Sequence, residues 1–146
     1  MTHQVIARDM LAVLCALQGG ATVAIDLNCN HARSAEWTGH ARFHVVWQTT
    51  AFAALAVVEI VLLFLSGPSA RQHFYLAALL AAVPMLGFFV AFLGRGMYGG
   101  LLADANGIPP ARVQMLGFNG LVDLNLVAEI AGFLTLILIV ALFRHR

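Results

Sequence analysis

Between positions 26 and 48 the chain reads DLNCNHARSAEWTGHARFHVVWQ, the densest run of chemically capable side chains in the sequence. Asp26, Asn28, Asn30, His31, Glu36, Trp37, His40, Arg42, His44, Trp47 and Gln48 all fall within it. Thr38 is a natural cap for a helix starting near Gly39. On that helix His40, His44 and Gln48 recur at i, i+4, i+8 and share one face. A second polar run reads Asn119, Asp123, Asn125, Glu129. Its pairs Asn119–Asp123 and Asn125–Glu129 also have i, i+4 spacing. Asp123 and Glu129 are six residues apart, about 240° around a helix, and do not share a narrow stripe.

Two chemistries suit these residue types. A carboxyl in low dielectric, Asp123 or Glu129, and the imidazole of His44 can exchange a proton as general acid and base. Asp26, Trp47, Gln48, Arg95, Tyr98 and Asn125 would then bind and orient the ligand. Alternatively His40 and His44 ligate one metal or haem, with His31, Asp26, Asp123 or Glu129 completing the set. A zincin motif needs an acid after its first His, and position 41 is Ala. A bis-His haem wants a second helix, and the later apolar runs supply no buried His. The expectation is therefore a site without cofactor or metal.

The elements that must position these groups follow from composition. The chain has 146 residues, 61% hydrophobic and 10% charged, with a mean hydropathy of +0.86. Soluble domains carry about 25% charged residues, so a cytosolic enzyme is excluded. A formal net charge of +1 leaves no basic footprint for a nucleic-acid partner. All eight basic residues are Arg, which fits a GC-rich bacterial genome. Cys15 and Cys29 are too few for a disulfide framework.

A helix needs about 20 apolar residues to cross a bilayer. Four runs qualify, at 10–26, 43–66, 74–94 and 115–143. The first resembles a secretory signal, but Asp9 spoils its basic flank and Leu14 precedes Cys15 where a lipoprotein site needs a small residue. A retained helix is the expectation. The fold class expected is all-α: one domain, residues 1–146, forming an antiparallel four-helix transmembrane bundle with both termini on one face.

Both long connections, 27–42 and 95–114, then lie on the opposite face, the loop face; the second holds Asp104, Asn106, Gly107 and Arg112. Arg8, Arg71, Arg144 and Arg146 sit on the terminal face; Arg33, Arg42, Arg95 and Arg112 sit on the loop face. With the basic residues tied, the positive-inside rule favours neither orientation, and the Arg144-His145-Arg146 tail leans towards cytoplasmic termini in a bacterial inner membrane. Trp37 and Trp47 suit the membrane interface.

Antiparallel packing puts Asp26, His44, Gln48, Arg95, Tyr98, Asp123, Asn125 and Glu129 near one depth. The expectation is a cavity bordered by His44, Gln48, Asp123, Asn125 and Glu129, with Asp26 and Arg95 at its rim. His44, Asp123 and Glu129 are read as the deeper groups and Asp26, His31, Glu36, Arg42 and Arg95 as interfacial glue. Glu59 stands apart, 16 residues past Phe43 and about 24 Å along the helix. It is expected near the terminal face, snorkelling, paired with Arg71 or Arg144, or on a separate polar path. Gly87, Gly94, Ala77, Ala78, Ala81 and Ala82 permit close packing within a protomer or in a homo-oligomer.

The stretch H-x5-W-x-x-H-A-R-F-H-x-x-x-Q, from His31 to Gln48, resembles a signature of small uncharacterised four-span bacterial membrane proteins. More loosely, an acid closing the first helix, interfacial Trp and buried acids resemble the sterol-isomerase and sigma-2-receptor group of small membrane bundles. That likeness implies a cavity for a lipophilic ligand, though the group's catalytic motifs have no residue-by-residue counterpart here. The expected function is a membrane-embedded isomerase, hydrolase or hydratase acting on a lipophilic molecule by general acid–base chemistry. The alternatives are a lipophilic-ligand-binding or accessory subunit among membrane lipids, and the His-based metal or haem site.

Overall fold

Four all-round apolar segments leave the sparse small and polar residues to decide which helix faces meet. A computed structural model describes residues 3–103, 109–115 and 117–145. Asp104, Asn106 and Gly107 of the second long loop and Arg146 of the tail lie outside them. In chain order the elements are α1 (His3–Asp26), α2 (Gly39–Phe64), α3 (Ala70–Tyr98), β1 (Ala111–Met115), β2 (Phe118–Val122) and α4 (Leu124–Arg144). All four helices are long and apolar enough to cross a membrane. They form an antiparallel bundle: α1 packs on α2 and α4, α3 packs on α2 and α4, and α1 barely touches α3 across the diagonal.

The core runs along i, i+3/i+4 stripes: Ala7, Leu11, Cys15 and Gly19 on α1, and Thr49, Ala56, Glu59 and Leu63 on α2. A Cβ added at Gly19 would stand 2.7 Å from the Ala56 Cβ, so the missing side chain is what lets α1 and α2 approach. At the terminal end Phe74 of α3 stacks on Phe143 of α4, with centroids 3.6 Å apart.

Three helix starts lie away from the ends of the apolar runs. α1 starts at His3 and not near residue 10, because its polar first turns continue the ladder outside the apolar run. α2 starts at Gly39, where the Thr38 hydroxyl accepts from Ala41 N as the cap pattern predicted. The fourth helix starts at Leu124, not at 115. The residues before it form an antiparallel hairpin, pairing Ala111 with Val122 and Met115 with Phe118. Gly117 holds φ at +86° in its turn, a conformation glycine tolerates without strain. Asn119 therefore lies on β2, and the Asn119–Asp123 pair does not share a helix face.

Candidate functional site

The register of α1 against α2 fixes depth. Thr49 Oγ1 donates to Asp26 Oδ2 at 3.4 Å, so the end of α1 aligns with the tenth position after Gly39. Near the other end the Arg8 guanidinium lies 4.9 Å from the Phe64 ring centroid. The first ten residues of α2 thus extend past the end of α1. His44, five residues before Thr49, lies about 7 Å beyond the Asp26 level.

That overhang explains where the predicted catalytic residues sit. His44 is exposed, and its Nε2 stands 3.0 Å from His40 Nε2, with His40 also exposed. Trp47 is 62% exposed, with its ring 5.8 Å from that of His44. Gln48 is exposed as well. Asp123 is the N-cap of α4, and its Oδ1 accepts from Leu126 N at 2.9 Å. His44 thus lies on the exposed part of α2 that extends past the end of α1.

Asn125 and Glu129 are half-buried on the stripe of α4 that continues through Gly132 to Leu136 and Phe143. Among the described residues no hydrogen bond joins His44 to Asp123 or Glu129. Arg95 donates to the Phe92 carbonyl at 2.6 Å, and Tyr98 donates to the Ala91 carbonyl at 2.7 Å. Both are exposed and turned back on α3. The structure thus joins Asp26 to Thr49, His40 to His44 and, ring against ring, His31 to Trp37, and turns Asp123, Arg95 and Tyr98 to local backbone partners. For a metal, His40 and His44 are a pair without a third ligand: no cluster of three or more His, Cys, Asp or Glu occurs among the described residues.

The deepest polar cluster lies elsewhere. Glu59 is 1% exposed, its carboxyl sits against the Cys15 thiol, and its Oε1 has no hydrogen-bond partner. Cys15 is seven residues past Arg8 and eleven before Asp26, about 10 Å from one level and about 16 Å from the other. Cys15 is thus midway along α1. Glu59 lies five residues, about 7.5 Å, before the end of α2 at Phe64 and so on the terminal side of that helix; among the described residues no ion pair joins it to Arg71 or Arg144.

One turn on from Cys15, Gln18 Nε2 donates to the Ala81 carbonyl at 3.2 Å. Pro84 leaves the Leu80 carbonyl without its helical donor, and the Gln18 amide bonds the next carbonyl along, that of Ala81. Gln18 Oε1 is buried without a partner. Sequence reasoning missed Gln18, Cys15 and Thr49. The available signal was a lone polar residue inside an apolar run, which in a membrane must face the bundle interior.

A cleft of about 440 Å³ opens between α3 and α4 towards the terminal face. Tyr75, Ala78 and Ala82 form one wall, Phe133, Leu136 and Val140 the other, and Arg144 stands at the mouth. The Arg71 guanidinium is 5.8 Å from the Tyr75 ring centroid, adding a second cation there. Phe133 meets Phe89 ring to ring at 5.7 Å. None of the residues predicted for the loop-face cavity lines this cleft.

No family model, curated protein or solved structure matches the chain. The resemblance drawn from His31 to Gln48 therefore rests on those motif residues alone.

Proposed function

We propose that this integral membrane protein binds a lipophilic molecule, an anionic single-chain lipid, in the cleft between α3 and α4. The observation that carries the reading is the cleft itself. Its volume of about 440 Å³ lies in the range of small-molecule sites. Its walls suit an acyl chain, and the Arg144 and Arg71 charges at its mouth suit a carboxylate or phosphate head. Arg144 in the last turn of α4 also complements the partial negative charge of that helix end. Binding without turnover is favoured over acid–base catalysis because Glu129 has no second titrating group bonded to it among the described residues. The Arg144-His145-Arg146 tail supports cytoplasmic termini in a bacterial inner membrane. The small faces of Ala77 and Ala78 are occupied inside the bundle, leaving Gly87 and Gly94 for a homo-oligomer contact.

The test is labelling in nanodiscs with a photoactivatable fatty acid, mapped by mass spectrometry. Adducts should concentrate on Phe133, Leu136 and Val140, be displaced by excess palmitate, and fall at least fivefold in Arg144→Gln. Labelling spread evenly over exposed positions such as Val90 and Leu93, and indifferent to palmitate, would show that the cleft holds only bulk lipid.

A further inference from the structure

The Glu59 carboxyl, buried with Oε1 unpartnered, is an acid whose place in the bundle the packing does not explain. A buried carboxylate must be neutralised by an ion pair, a metal ion or a proton.

The first route is closed among the described residues by what faces Glu59. On α1 it meets the Cys15 thiol, and the nearest cation on that helix, Arg8, is bound to Asp9 at 2.7 Å. On α3 the buried residues at neighbouring levels are Phe74, Ala77, Ala78 and Ala81. His73 is one residue beyond Phe74, with a buried Nδ1 that has no partner. On α4 the buried residues are Leu136, Ile139 and Phe143. A metal ion is disfavoured by ligand count. Hard cations take six or more oxygens, whereas the unpartnered buried side-chain oxygens here are Glu59 Oε1 and Gln18 Oε1.

We propose that Glu59 is a proton-binding site inside the bundle, holding one exchangeable proton in the seam between α1 and α2. Gly19 on Ala56 closes the seam on the loop side, one turn from Cys15. A Glu59 that loses its proton leaves an unpaired charge inside a buried contact. Proton release and separation of α1 from α2 are therefore coupled, and proton occupancy sets how tightly this half of the bundle closes. The site is independent of the α3–α4 cleft and stands or falls without it.

Infrared spectroscopy of the full-length protein in nanodiscs tests this through the neutral-carboxyl C=O band and its shift in deuterated buffer. The band should be present at neutral pH, absent in Glu59→Gln and unchanged by sodium chloride. The double variant Asp26→Asn, Glu129→Gln removes two other membrane-level acids and should keep the band, which decides the question if Glu59→Gln does not fold. Loss of the band in the double variant overturns the proposal. So does its replacement by a carboxylate band on adding sodium chloride, which would assign a metal cation to the seam.

Discussion

At the loop end of the bundle, polar residues are many, exposed and served locally: His40 by His44, Asp123 by the first turn of α4, Arg95 and Tyr98 by α3 itself. Inside the bundle Cys15, Gln18 and Glu59 sit in apolar surroundings, and Oε1 of both Gln18 and Glu59 is buried without a partner. An ionisable group at that depth costs about 2.5–3.5 kcal/mol on insertion scales, while an interfacial one reaches water by snorkelling. Density of polar residues along a sequence therefore marks the membrane boundary. Isolation within an apolar run marks the interior, and it is the interior group whose presence demands a reason.

The strongest challenge to the central seam is steric. Gly19→Leu puts a branched side chain where a single Cβ already falls 2.7 Å from Ala56 Cβ. Overpacking of this kind costs about 1–3 kcal/mol, and α1 must back away from α2. Thermal unfolding in detergent should show a larger loss than Asp123→Ala, Gln18→Leu or His44→Ala produces. A melting temperature within error of wild type would mean the two helices do not meet at this point.

The cap at the other end should matter less. Asp123→Ala removes the acceptor for Leu126 N and costs about 1 kcal/mol, while Asp123→Asn, which keeps an acceptor oxygen, should restore most of it. That rescue separates capping from catalysis, because a titrating role would be lost in both variants.

Gln18→Leu deletes the donor to the Ala81 carbonyl beside Pro84. Interhelical hydrogen bonds in membranes average about 0.6 kcal/mol, so the expected loss is of that order. Amide exchange at Ala81 and Met85 should rise together. Unchanged exchange there would uncouple the central cluster from the proline turn.

Much of the fold was legible because span length and apolar runs are dictated by the bilayer. Four helices, their antiparallel order and the Thr38 cap all follow from local signals. The hairpin was not legible. Only β1 alternates, with Val113 between Arg112 and Gln114, while β2 reads FNGLV and the apolar run of α4 follows after Asp123. The depth of the site failed for a different reason. Helix-end alignment assumes flush ends, whereas α2 overhangs α1 by ten residues and lifts His40, His44 and Trp47 clear of the Asp26 level. Only an interhelical contact such as Asp26–Thr49 reveals that offset, and no spacing within one helix encodes it.

The smallest expected effect is at the residue the sequence made most prominent. His44→Ala removes an exposed ring whose polar contact is His40, itself exposed. Substitutions at such surfaces usually change stability by no more than about 0.5 kcal/mol. The His40 nitrogen regains water when its neighbour is lost, so no buried donor is stranded. His44→Ala should therefore melt with wild type in detergent and in nanodiscs, and should label with the photoactivatable fatty acid as wild type does. A loss of about 2 kcal/mol or more, confined to nanodiscs, would require a lipid or a second copy of the chain to cover this face of α2. The loop end would then be a dry site like the centre, and the contrast between the two regions would no longer hold.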